Sequence, residues 1–567
     1  MQILTREVAA AHFPDLQSVL LRRIYAARGV THGDQLNRSL AGLLSPLLLP
    51  DIERAANRLA DAVQQSQQIL IVGDFDADGA TSVALCLCVL RDLGAQRVSF
   101  LVPNRFEFGY GLSPEIVDLA AQQQPDLIVT VDNGVSSVAG VTHANALGID
   151  VIVTDHHLPG GELPPALAIV NPNLLDVPFT SKAMAGVGVA YYVLSVVRSV
   201  LRERGWFDAD RSAPNLARYL DLVALGTVAD VVPLDANNRI LVHQGIQRMR
   251  AGKCLPGIKA LAEIAKRSLD TLSAQDLGFA LGPRLNAAGR LEDMSIGIQC
   301  LLAPDLPSAR KLATALDQLN QARRQLEQEM VDDAQLMLAD AQADNSRVGL
   351  TLYHEGFHQG VVGIVAGRVR EKYHKPAIVF ADAGDNAPDE LKGSARSIDD
   401  LHIRDVLDWM AACHPGLLLK FGGHAMAAGL SIKRVHLARF GVIFDKAVRR
   451  FAQPAILDAK LVTDGVLPVA DLTLATAQLL AESGPWGSGF PEPSFEGVFE
   501  VVSQRVVGEH HLKLVLKIAG KVLDGIAFRQ QAIASDIHSI RLVYRLSVND
   551  YGQWPTLQLM VEHLEPA

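Results

Sequence analysis

Short apolar runs that each break off at an aspartate set the pattern of this chain. Ile69–Val72, Leu127–Val131 and Val151–Thr154 carry no charge and are rich in β-branched residues. Such runs read as strands buried on both faces of a parallel sheet. Between them lie stretches with helical spacing. Ile52, Ala55, Leu59 and Val63 recur at i, i+3, i+7 and i+11, which predicts a helix over 51–65. Ser113 and Pro114 supply an N-cap and a first-turn proline for a helix reaching Gln123. Further helices are predicted over Thr81–Leu93 and Leu216–Leu225, and a strand over Val98–Val102. This alternation predicts an α/β fold built on a parallel sheet.

The texture changes twice downstream. Leu312, Leu316, Leu319, Leu326 and Met330 repeat at helical spacing among charged residues, predicting one long connecting helix over 305–344. Residues 346 to about 450 read as a second, smaller α/β unit. From about Pro454 short runs such as HLKLVLKIAG alternate apolar with polar positions. They predict antiparallel strands closing into a small barrel of OB type. The expected organisation is therefore a lead-in over 1–45, a metal-binding α/β domain over 46–304, a connector over 305–345, the second α/β domain over 346–453 and the barrel over 454–567.

The chemistry lies where the first set of strands ends. Ile69–Val72 empties into Asp74, Asp76 and Asp78, Leu127–Val131 into Asp132, and Val151–Thr154 into Asp155-His156-His157, while Asp230 follows the later helix. Ligands of parallel sheets bind outside the carboxyl ends of the strands. Carboxylates gathered there repel one another unless a cation offsets them, and hard oxygen donors at that density suit Mg²⁺ or Mn²⁺. An EF-hand is excluded because its twelfth position falls on Leu85 and a strand precedes the loop. A covalent aspartyl phosphatase would need Thr or Val two residues after Asp78, where Ala80 stands, and would leave the histidine pair unused. Adjacent residues leaving a strand point to opposite sides, so His156 and His157 are not both expected to ligate one ion.

Composition narrows the setting. The 567 residues carry a net charge of −10, which disfavours a general DNA-coating surface but not a local basic channel. The five cysteines form no CxxC pair, and the N-terminal MQILTREVAAAHF lacks a basic then apolar leader. Ala183–Val197 is too short to span a membrane. A cytoplasmic protein without structural zinc is expected.

GDFDADG, VDNG, TDHH and GTVADVVPL, in this order and spacing, resemble the motifs of the DHH phosphoesterase family, a bacterial cytoplasmic group where single-stranded DNA is concerned. GPRLNAAGR, KGSARS and FGGHAMAAG extend the likeness almost to the C-terminus, towards the members that digest single-stranded DNA. The resemblance implies metal-ligand positions at Asp76, Asp78, Asp132, His156 and Asp230, with Asp74 a ligand or a close neighbour. It puts a substrate-facing imidazole at His157 and an orienting carboxylate at Asp155. The expected reaction is metal-dependent 5′→3′ exonucleolytic hydrolysis of single-stranded DNA in repair and recombination, with two Mn²⁺ or Mg²⁺ ions. The alternative within the family is cleavage of short oligonucleotides or cyclic dinucleotides.

Arg284 and Asn286 are candidates for holding the scissile phosphate. Arg105, Ser394 and Arg396 are expected to meet a terminal 5′-phosphate, although Arg396 has Asp399 and Asp400 as rival partners. Gly422, Gly423 and His424 add N–H groups and an imidazole suited to phosphate. In the barrel, Lys513, Lys517, Arg541 and Arg545 are expected to form a basic stripe for the strand, with Phe499, Phe528, Tyr544 and Trp554 mostly in its core. The implied partners are single-stranded DNA, a single-strand-binding protein and a helicase of the repair machinery; the chain is expected to act as a monomer, away from membranes.

Overall fold

The computed structural model describes residues 2–104, 111–341, 347–384, 387–452, 459–508, 511–534, 536–550 and 553–567. Two compact units result: Met1–Ile3 with Gln318–Leu461, and Leu4–Asp317 with Val462–Ala567.

The chain enters through a strand β1 (Gln2–Thr5), then helices α1 (Val19–Ala26) and α2 (Ile52–Gln64). The doubly covered sheet follows as β2 (Ile69–Gly73), α3 (Ala77–Asp92), β3 (Val98–Leu101), α4 (Pro114–Ala121), β4 (Leu127–Val131), α5 (Val138–Ala146), β5 (Asp150–Thr154) and β6 (Ala168–Val170). Its order is β3-β2-β4-β5-β6, parallel throughout. The period-2 alternation of strands distributes the core. Leu70, Val72, Ile128, Val151 and Val153 pack on α4 and α5 through Ile116, Val117 and Val141. Ile71 and Val129 face the opposite layer with Leu59, Cys86 and Leu90, and all of these are almost wholly buried.

Helices continue as α6 (Gly186–Glu203), α7 (Leu220–Ala229), α8 (Ala236–Arg250), α9 (Pro256–Ile264), the single turn α10 (Ala274–Asp276), α11 (Gly282–Leu291), α12 (Ser295–Leu301) and α13 (Leu306–Ala341). Two boundaries differ from expectation. Helix α3 starts four residues early, because the Asp76 carboxylate caps the N–H groups of Asp78 and Gly79. Helix α7 runs through Ala229, so Asp230 is its C-cap. Helix α13 is the expected long helix, and within its leucine repeat Leu312, Leu319 and Leu326 are half-buried. The buried row is Ala309, Ala313, Leu316, Asn320, Arg323, Met330, Ala334 and Leu338. Arg323 is held in it by hydrogen bonds from its Nη2 to Asn320 at 3.0 Å and from its Nη1 to Glu327 at 2.5 Å. A search for large apolar side chains finds only part of such a row.

The smaller unit holds β7 (Leu350–Tyr353), α14 (Val362–Tyr373), β8 (Ala377–Asp382), β9 (Glu390–Arg396), α15 (Ile403–Cys413), β10 (Lys420–Gly423), β11 (Ala427–Lys433) and α16 (Leu437–Phe451). The sheet order is β10-β11-β9-β8-β7. Phe380, Phe440 and Phe444 anchor its core.

After β12 (Lys460–Thr463), which pairs with β1, and α17 (Leu474–Glu482), five strands close a barrel: β13 (Phe495–Val507), β14 (His511–Ile518), β15 (Lys521–Phe528), β16 (Ser539–Asn549) and β17 (Thr556–Pro566). The order β13-β14-β15-β17-β16 contains one parallel pair, β15 with β17, so the strands are not all antiparallel as expected. The segment leading into the barrel is built into the larger unit. Arg28 binds Asp464 through two hydrogen bonds of 2.7 and 2.9 Å, and Tyr25 stacks on Trp486 and Phe490. Among the described residues no helix is long and apolar enough to cross a membrane.

Candidate metal centre

The acidic loop is fixed by backbone crowding. A Cβ on Gly79 would stand 2.4 Å from the Asp74 carbonyl oxygen, so only glycine lets the first turn of α3 fold back against the end of β2. Within that turn Asp78 is wholly buried. Its carboxylate accepts the N–H groups of Gly186 at 2.6 Å and Val187 at 3.0 Å, at the N-terminus of α6, where the helix dipole favours negative charge. Asn286 of α11 accepts the Ala77 N–H at 2.8 Å and so pins the loop from a third side.

Asp132 leaves β4 in the left-handed region, with φ of 62°, and is 2% exposed. Its Oδ1 lies 3.0 Å from His156 Nε2, which is also 3.6 Å from Asp230 Oδ2. Three ligand groups overlap here: Asp132, His156 and His157; Asp78, His156 and Asp230; and Asp74, Asp76 and Asp132. In each, ligand atoms lie within 4.8 Å of one another. Asp132 and His156 each belong to two groups.

Electrostatics agree with a cation site. Burial, then the charges of Asp230 and Asp76, push the Asp78 carboxyl well above its ordinary value. Burial and the charges of Asp78, Asp76, Asp230 and Asp74 do the same to Asp132. Burial and Asp76 raise Asp230 to about 7. The charges acting on Asp132 are thus four carboxylates. Their donor chemistry, oxygen with one or two imidazoles, fits Mn²⁺ or Mg²⁺.

His156 and His157 do not take opposite sides; their ring centroids are 4.5 Å apart. Strand alternation ends at Thr154, and Asp155 bends the chain back. Its Oδ1 accepts the N–H of His156 at 2.7 Å and that of His157 at 3.0 Å, and lies 2.8 Å from His157 Nδ1. Burial opposes ionisation of Asp155, but the His157 ring and the N–H of Val135 hold its carboxyl below the usual value. Two further residues escaped the sequence reading: Asn171 and Asn173, whose side-chain amides donate to the carbonyls of His157 and His156 at 2.9 and 2.6 Å. The Asn-Pro-Asn turn after β6 was the only local sign of them.

Other expected site residues fall elsewhere. Arg284 donates to Asp317 at 2.8 Å and to the Ala280 carbonyl at 2.6 Å, so its guanidinium is engaged within the fold. Arg105 lies outside the described residues. In the smaller unit Ser394 on β9 pairs with Gly429, which pairs with Gly422 on β10. A Cβ on either glycine would meet nothing within 4 Å, so bare backbone lies beside the Ser394 hydroxyl. Arg396 Nη1 donates to Ser394 Oγ at 3.0 Å and to the Ala395 carbonyl at 2.8 Å. Gly363, in the first turn of α14, would place a Cβ 2.9 Å from Arg396 Nη2. Gly423 ends β10, and the His424 N–H donates to the Ala427 carbonyl at 2.8 Å.

The expected basic stripe of the barrel is not free. Lys513 pairs with Asp524 at 3.2 Å, Lys517 with Glu500 at 3.1 Å, Arg541 with Glu496 at 2.5 Å, and Arg545 with Glu492 at 2.5 Å and Glu562 at 2.7 Å. Apart from Glu492, which precedes β13, the carboxylates that meet these cations stand on neighbouring strands, as cross-strand pairing favours. Phe499 and Tyr544 are core, whereas Phe528 and Trp554 are 52% and 76% exposed.

Known proteins resemble this chain along its whole length. Family models match in chain order: the DHH family N-terminal domain over 68–227, the DHHA1 domain over 346–451 and the RecJ OB domain over 463–563. The single-stranded-DNA-specific exonuclease RecJ of Dickeya dadantii is 53% identical over 100% of this chain and 99% of its own. That of Escherichia coli is 51% identical with the same coverage. The crystal structure of RecJ from Thermus thermophilus in complex with Mn²⁺ superposes with a TM-score of 0.82 at 28% identity, covering 100% of this chain and 80% of that one. Its Mg²⁺ complex gives 0.75 at 27% identity, covering 100% and 79%. With its DHH, DHHA1 and OB domains in that order, the chain belongs to the RecJ family of DHH phosphoesterases.

Proposed function

We propose that this chain hydrolyses the phosphodiester bonds of single-stranded DNA, removing nucleotides from the 5′ end with Mn²⁺ or Mg²⁺. The observation that carries the reading is the set of three overlapping ligand groups around Asp132 and His156. Their sharing of two residues supports a pair of adjacent ions held by Asp74, Asp76, Asp78, Asp132, His156 and Asp230. Divalent ions held by these residues would supply a hydroxide nucleophile and neutralise charge on the attacking and leaving oxygens.

The chain's own groups do the rest. Asp155 fixes the ring of His157, which faces the substrate and meets the scissile phosphate. Asn286 and the α6 N-terminus are positioning groups that hold Ala77 and Asp78. Arg284 steadies α11 through Asp317. A terminal 5′-phosphate is taken by Arg396 and Ser394 at the N-terminus of α14, beside the open backbone at Gly422, with Gly423 and His424 contributing. Support comes from Arg396 itself: burial and the nearby Arg370 hold its pKa below the ordinary value, and a bound dianion would relieve that. Residues 454–567 grip the strand through the exposed rings of Phe528 and Trp554, since stacking tolerates any base. Family membership favours supply of the strand by a helicase and a single-strand-binding protein.

The test is release of mononucleotides from a 5′-phosphorylated single strand labelled at its 3′ end. Progressive shortening that needs Mn²⁺ or Mg²⁺ and stops in chelator is expected. Cleavage confined to dinucleotides or cyclic dinucleotides would overturn the reading.

A further inference from the structure

Several surface arginines of the larger unit meet carboxylates, as Arg58, Arg204, Arg218 and Arg310 do. The outer side of α6 and α8 gathers arginines that do not. Helix α8 has no acidic residue, and its outward positions include His243, Gln244, Arg248 and Arg250. Gln244 joins this helix to the N-terminal segment by donating to the Arg38 carbonyl at 2.6 Å, and Arg248 donates to the Gln244 side chain at 3.0 Å. Helix α6 adds Arg198 and Arg202 one turn apart.

Among the described residues none of these five arginines has a carboxylate in ion-pair range. Arg38 donates to the carbonyls of Glu482 and Ser483, and Arg250 to that of Leu272. The Arg198 Nε is buried without a hydrogen-bond partner. The field is felt locally: burial, then Arg38 and Arg250, push the His243 imidazole down to about 4. Tyr191 of α6 lies in the fields of both Arg248 and Arg198, which links the two helices. In a chain with ten more acids than bases, five arginines gathered on neighbouring segments without a carboxylate leave positive charge for an outside anion.

We infer that this side of α6 and α8 is a second binding track for the sugar-phosphate backbone of a nucleic-acid strand, separate from the metal centre and from the barrel. Guanidinium forks match phosphate oxygens. Arg198 and Arg202 stand about 6 Å apart along their helix, a spacing that lets each meet its own phosphate. No large apolar or aromatic side chain is exposed on either helix. The track therefore has no platform for a base and no anchor for an apolar peptide, so it reads charge and not sequence.

The inference rests on the nucleic-acid reading above, and the two are tested separately. The triple variant Arg198→Gln, Arg202→Gln, Arg248→Gln is compared with wild type in chelator, measuring the affinity for a long oligothymidylate across a range of salt. Loss of three contacts should make the slope of log K against log salt shallower by about 2, with hydrolysis of a short oligonucleotide unchanged. An unchanged slope in a variant of wild-type thermal stability overturns the track while leaving the nuclease reading intact. Wild type that neither binds nor hydrolyses the strand overturns both. A variant that instead loses only binding to polyglutamate would assign the surface to an acidic protein and overturn the track as well.

Discussion

Arg396 is held by a hydroxyl and a carbonyl, not by an acid. Among the described residues Asp399 and Asp400, its rivals three and four residues on, do not pair with it. Arg396→Ala should therefore lower activity on 5′-phosphorylated strands by about 1–3 kcal/mol, the scale of a lost hydrogen bond to a charged group. Activity on 5′-hydroxyl strands should change much less. Kinetics of both proteins on both ends measure the difference, and a variant that still discriminates the ends like wild type removes Arg396 from that role. At this scale the sequence was informative where chemistry is local. Asp74, Asp76, Asp78, Asp132 and the Asp155-His156-His157 run sit at strand ends that periodicity alone locates. Asn171, Asn173 and the N–H groups of Gly186 and Val187 act on residues far away in the chain, and no local pattern announces that.

Among the elements, α7 carries Asp230 into the centre and is itself pinned by Asp221. That carboxylate is wholly buried and accepts the N–H groups of Leu222 and Leu255 at 2.8 Å each. Burial outweighs these bonds and raises its pKa to about 6. The folded state then keeps the proton to a higher pH than the unfolded chain, which releases it near the ordinary value of 3.8. Stability consequently falls as pH rises from about 4 to about 6 and levels off above. Asp221→Asn lacks that step. Its Tm relative to wild type should climb through the same window, by the equivalent of about 3 kcal/mol at most, on top of a constant offset for the lost acceptor. Thermal melts across pH check this, and a Tm gap that stays constant from acid to neutral pH would contradict it. Elements were legible where one residue type dominates a face. The buried row of α13 was legible only in part, at Leu316 and Met330, because alanines and a hydrogen-bonded Asn320–Arg323–Glu327 set interrupt its large apolar residues. The pairing of the barrel cations was not legible for a related reason: only strand register and barrel closure bring their carboxylates alongside.

On the scale of the molecule, the C-terminal region both completes the larger unit and presents the barrel. Removing residues after 461 would strip Asp464 from Arg28 and the rings of Trp486 and Phe490 from Tyr25. The truncated chain should melt at lower temperature, so it cannot isolate strand grip. Phe528→Ala with Trp554→Ala can, because both rings are exposed. The pair should weaken binding of a long strand by about 2–6 kcal/mol at the scale of two lost stacks, with short-strand hydrolysis nearly unchanged. Equal losses on long and short strands, measured by anisotropy and turnover, would deny the barrel that role.

The metal centre is the claim on which the rest depends. It is tested most directly by turnover on a 5′-phosphorylated single strand at saturating Mn²⁺ for Asp78→Ala, Asp132→Ala and His156→Ala beside wild type. Each variant should lose more than about a hundredfold, exceeding what removal of a ligand's supporting partner costs, while unfolding cooperatively. Near-normal, metal-dependent turnover by all three would contradict the ligand assignment.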